Sequence, residues 1–125
     1  MHENDISFFI RKAIFSVYNA LGPGLHPSVY MKALREELEK LGLEVNPEIM
    51  VSIEEGCAPT GAGCRVDMLV NGKVLIEVKS VEEVKGFHCY QVLPYLHLSQ
   101  VRPVMLVNFN TDQIARSIHR FVSQH

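Results

Sequence analysis

Asn71-Gly72 constrains this chain more than any other pair, because it stands between two short runs that alternate between faces. Asn-Gly supplies the left-handed backbone that a tight β-turn needs, so 65–70 and 73–78 read as the two strands of a hairpin. On the second strand Val74, Ile76 and Val78 make a purely apolar face, opposed by Leu75, Glu77 and Lys79. On the first, Val66, Met68 and Val70 are opposed by Arg65, Asp67 and Leu69. Side chains alternate with period two, so burying both apolar sets together requires paired residue numbers with an even sum. A two-residue turn pairs Val70 with Lys73, gives an odd sum and splits the core. The pattern therefore predicts a three-residue loop with Gly72 left-handed, or a bulge. In the register drawn from it, Asp67 faces Leu75 and Glu77 lies one diagonal step away, roughly 7–8 Å between backbones.

Two carboxylates at that reach can share a hard cation of the Mg²⁺ or Mn²⁺ type. Lys79, two residues beyond Glu77, points to the same side of the sheet. A lysine there can orient or deprotonate an attacking water and offset charge developing on a phosphate. The bland alternative is a solvated Glu-x-Lys ion pair on an exposed strand, which contributes little. The acid on the neighbouring strand and the otherwise apolar hairpin favour a site.

Around the hairpin the period changes. Ile6, Phe9, Ile10, Ala13, Ile14 and Val17 recur at helical spacing over 5–19, with Asp5 as the expected N-cap. Leu21-Gly22-Pro23-Gly24 breaks that helix. A second helix is expected over 27–41, with Pro27 in its first turn, a stripe of Val29, Ala33, Leu34, Leu38 and Leu41, and Gly42 ending it. Val45, Ile49, Val51 and Ile53 read as extended, with Pro47 confining the segment to an edge or bend. Residues 54–63 read as a loop. A third helix is expected within 84–98, a buried strand over 101–109, and a last helix capped by Thr111 or Asp112 and reaching Phe121. The order predicts one α/β domain over 1–125, a mixed sheet flanked by helices.

Composition bounds the function. With 12 Lys+Arg against 14 Asp+Glu the net charge is -2, so a phosphate-binding role must find its positive charge locally or through a metal. Cys57, Cys64 and Cys89 lack CxxC spacing and read as free thiols rather than a zinc site. The acidic start and the absence of a long apolar run predict a cytoplasmic chain without a membrane span.

Taken in order, Asp67, then Glu77-Val78-Lys79, resembles the D…ExK core of the PD-(D/E)XK nuclease superfamily. Gln91-Val92-Leu93-Pro94-Tyr95 is similar to the QxxxY motif of its RecB-like members. Leu21-Gly22-Pro23-Gly24-Leu25-His26-Pro27-Ser28-Val29-Tyr30 resembles the start of the small GxxExxY proteins. The likeness covers about 8–120. It implies an αβββαβ restriction-endonuclease-like core and divalent-metal hydrolysis of a nucleic-acid phosphodiester. It implies Asp67 and Glu77 as metal ligands with the main-chain carbonyl of Val78, and Lys79 as the catalytic lysine. Gln91, Tyr95 and Tyr30 would orient that lysine or contact substrate. The chain departs from the pattern at Pro27, where the motif has a glutamate, and so the alternative is a catalytically impaired nuclease-fold module that binds nucleic acid or protein. Pro94 would break or kink the third helix. Nucleic acid is the expected partner. A chain of 125 residues leaves little surface for gripping a duplex alone, which points to a homodimer. Lys73, Lys85 and Arg102 are candidates for the edge of a substrate groove.

Overall fold

The computed structural model describes residues 1–51, 64–84 and 103–122. Helix α1 (Glu3–Leu21) starts two residues before the expected cap. Its N-cap is His2, whose Nδ1 accepts from the Asn4 N–H at 3.0 Å. Glu3 and Asp5 then occupy the first turn, where negative charge opposes the helix dipole. Helix α2 (Pro27–Lys40) has Pro27 at its first position and His26 as N-cap. It ends as expected at Gly42, which is left-handed (φ 85°); the Leu43 N–H donates back to Leu38 O and the Gly42 N–H to Glu39 O.

The buried stripe of α2 differs from the expected one. Tyr30, Leu34 and Leu38 are buried, whereas Val29 and Leu41 are exposed. Tyr30 takes the inner position because its polar end is satisfied there: the hydroxyl donates to Gly22 O at 2.6 Å and accepts from the Leu25 N–H at 3.1 Å. Its ring stacks on Phe109 at 4.3 Å between centroids.

Strands β1 (Val45–Val51), β2 (Cys64–Val70), β3 (Val74–Lys79), β4 (Pro103–Asn108) and β5 (Ile118–Val122) form one mixed sheet in that spatial order. All neighbours are antiparallel except β3 and β4, which are parallel. Pro47 lies in β1 at the sheet edge, as its missing N–H requires. Met68, Val70, Val74, Ile76, Val78, Met105 and Val107 pack on one face against the apolar sides of α1 and α2. This is the α/β arrangement with a mixed sheet that the pattern predicts. The expected third helix falls outside the described residues.

The expected last helix is corrected. Thr111 does cap a turn, its Oγ1 accepting from the Gln113 N–H at 3.1 Å, but only a short 3₁₀ helix, Ile114–Ser117, follows. The chain then pairs with β4 as β5, Val107 opposite Ile118 and Val104 opposite Phe121. Ile114, Ile118 and Phe121 repeat at helical spacing, but the outer edge of the fully buried β4 needs backbone partners, and that long-range demand wins.

Candidate functional site

The hairpin turn obeys the parity rule. Asn71 (φ 51°) and Gly72 (φ 65°) are both left-handed and the Lys73 N–H donates to Val70 O at 3.0 Å. Val70 nevertheless pairs with Val74, so Lys73 is an extra residue in a three-residue connection. Asn71 also braces the loop before β1: its Oδ1 accepts from the Glu44 N–H at 2.7 Å.

The register itself is two residues from the expected one. Leu69 stands opposite Leu75 and Met68 opposite Ile76, so continuing the ladder puts Asp67 opposite Glu77 rather than opposite Leu75. The three-residue connection is 71–73, between Val70 and Val74, where the expected register leaves 70–72. The correction brings the two acids nearer than the sequence predicts.

At that point the carboxylates replace the ladder. The Val78 N–H donates to Asp67 Oδ2 at 2.7 Å, and the Asp67 N–H donates to Glu77 Oε1 at 3.2 Å. Meanwhile β2 stays paired with β1 through Cys64, and β3 with β4 through Lys79. Each acid therefore reaches across to the other strand's backbone. Both lie at the junction where the β2–β3 register ends.

Glu77 is only 5% exposed, with Leu106 beside it on β4 and Leu75 before it on the same face, both also buried. Burial, and then the charge of Asp67, push its carboxyl from 4.5 up to about 7; the Asp67 N–H and Lys79 pull the other way. Lys79 Nζ lies 4.0 Å from Glu77 Oε2. A solvated surface ion pair does not describe a glutamate this deeply buried.

Two carboxylates this close, one of them costly to ionise, call for a proton or a cation between them. The donor set suits a hard divalent ion, which prefers carboxylate and carbonyl oxygens. Among the described residues no third His, Cys, Asp or Glu joins the pair. Such an ion would keep water in its remaining positions, as Mg²⁺ commonly does. Val78, the expected carbonyl ligand, is buried beside both acids.

Other expected residues scatter. Tyr30 is buried in the core with its hydroxyl committed to the loop between the helices, which makes it an anchor for that loop rather than a wall of the site. Gln91, Tyr95, Pro94, Lys85 and Arg102 lie outside the described residues, as do Cys57 and Cys89. Lys73 donates to Met1 O at 2.6 Å. Pro27 starts α2, and its neighbour Ser28 lines a depression of about 210 Å³ that also includes Asp67. Lys32 and Arg35 line it too, and the sequence reading passed over them. Their spacing marks them as one helix face; nothing in the sequence shows what that face looks onto. A larger cleft of about 560 Å³ lies past β3 and β4, lined by Glu82, Glu83, Asp112, Arg116 and His119 among others. It contains neither member of the acid pair, and its three carboxylates make it a poor place for phosphate.

No helix among the described residues is long and apolar enough to cross a membrane. No curated protein matches the chain. A family model described as the PD-(D/E)XK nuclease superfamily matches residues 4–121.

Proposed function

The chain belongs to the PD-(D/E)XK nuclease superfamily, and from that premise we propose that it hydrolyses a nucleic-acid phosphodiester using Mg²⁺ or Mn²⁺ held by Asp67 and Glu77. The observation that carries the reading is the reciprocal bonding of the two acids across the β2–β3 junction, with Glu77 buried. Val78 would add its carbonyl to the donor set. Bound there, the cation would polarise a phosphoryl oxygen and make a bound water more acidic. Asp67 and Glu77 fix where that charge sits. Lys79, beside Glu77, offers a cation and a hydrogen-bond donor to the reacting phosphate or to the attacking water. Gln91 and Tyr95 would orient that lysine or contact the substrate.

A second reading is favoured by one residue. Pro27 stands where the GxxExxY pattern has its glutamate, although Gly24 and Tyr30 fit that pattern. With one carboxylate fewer the cation is held less tightly, and the domain would bind nucleic acid while cleaving slowly or not at all.

Incubation of single- and double-stranded oligonucleotides with Mg²⁺ or Mn²⁺ separates the two. Hydrolysis by wild type that Glu77→Ala abolishes supports the enzyme. Binding without cleavage by wild type, restored to cleavage by Pro27→Glu, supports the impaired module. Equal cleavage by wild type and Glu77→Ala would assign the activity to a contaminant and reject the assignment of Glu77.

A further inference from the structure

We propose that the face of α2 carrying Lys32 and Arg35 grips the phosphates of the nucleic-acid strand delivered to the acid pair; this rests on the phosphodiesterase reading above. Ser28, Met31, Lys32 and Arg35 fall at i, i+3, i+4 and i+7 and so share one side of the helix. All four line the depression of about 210 Å³ that also contains Asp67. Asp67 thus belongs both to the acid pair and to the lining of this basic-walled hollow, and is the residue the two share.

Charge makes the hollow the natural phosphate site. The chain as a whole carries -2, and the larger cleft is rimmed by carboxylates. Electrostatic attraction for a polyanion must then come from a local patch, and two cations one helical turn apart supply one. Both are available. Among the described residues Lys32 makes no ion pair, and Arg35 is held only by Glu39 at 3.2 Å, with both side chains about half exposed. Exposed i,i+4 pairs of that kind contribute little, so a phosphate oxygen can displace the glutamate. Arg35 can take phosphate with two parallel N–H donors, while Lys32 acts as a point charge. The same helix begins with Pro27 in place of an acid. Its contribution to the site is therefore positive charge for substrate, not a further carboxylate for metal.

The test uses fluorescent single-stranded and duplex phosphorothioate oligonucleotides, which keep backbone charge and resist hydrolysis, in Mg²⁺ over a range of salt. Lys32→Ala and Arg35→Ala should each weaken binding about fivefold at low salt and reduce the slope of log affinity against log salt by about one. Lys12→Ala, an exposed cation on α1, should change neither, and Lys32→Arg should bind like wild type. All three positions are on the exposed sides of helices, so folding is not in question. If wild type binds and the Lys32 and Arg35 variants bind equally well, or if Lys12→Ala loses as much, the assignment of α2 is overturned while the phosphodiesterase reading stands. If wild type neither binds these probes nor cleaves ordinary ones, that reading falls and takes the inference with it.

Discussion

Glu77 carries the largest consequence for a single residue. Its carboxyl sits near 7 in the folded chain, above the 4.5 of an unperturbed glutamate that it regains on unfolding. Between those values the folded state holds an extra proton, so this contribution to stability is complete below about 4.5 and is lost as pH rises through 7. The buried charge then costs about 3 kcal/mol at pH 8 without metal. Urea unfolding in a chelator should show wild type more stable at pH 5 than at pH 8. Glu77→Gln should remove that part of the pH dependence and be the more stable protein at pH 8. Lys79→Met has a different signature: it should lower cleavage by roughly 10²–10⁴-fold while leaving cation affinity nearly intact, read by single-turnover kinetics beside a metal titration. The acids were legible because hairpin alternation assigns faces without any tertiary knowledge. Their direct opposition was not, since parity fixes the face and leaves the register open by steps of two.

Among the elements, the β2–β3 hairpin and α2 position the site, and each has a device that can be removed. Gly72 is left-handed with open space around a β-carbon, so Gly72→Ala should destabilise by about 1 kcal/mol through backbone strain alone, measured by chemical denaturation. Tyr30→Phe deletes two hydrogen bonds to the loop between the helices and leaves the half-buried Gly22 carbonyl short of a donor. A loss of about 1–3 kcal/mol is expected, with cleavage per folded molecule unchanged. That second readout separates the anchor from a substrate-facing tyrosine. At the head of α2, Pro27→Glu should tighten Mn²⁺ binding if the helix end faces the acid pair. The sequence showed where α2 begins and ends because Pro27 and Gly42 act through their own backbones. It misjudged β5, whose spacing is equally helical, because the open edge of β4 is visible only once the sheet exists. It could not place Tyr30, because a tyrosine suits a cleft or a core until its hydroxyl's partners are known.

At the scale of the whole molecule, two helices on one sheet face position a junction at which two neighbouring strands exchange backbone bonds for carboxylates. The fold class followed from the order of periodic segments, which depends on local pattern alone. The basic face of α2 did not, since a net charge of -2 hides a patch of two cations. A cation that binds the folded chain and not the unfolded one stabilises it by mass action, about 2.7 kcal/mol at a hundred times its Kd. Thermal melts in Mn²⁺ should therefore shift upward for wild type and not for Asp67→Asn or Glu77→Gln. The most direct test is a calorimetric titration of Mn²⁺ into those three proteins. One site present in wild type and lost from each variant is the predicted result. Unaltered Mn²⁺ binding in both variants would contradict the joint grip of Asp67 and Glu77 on the ion.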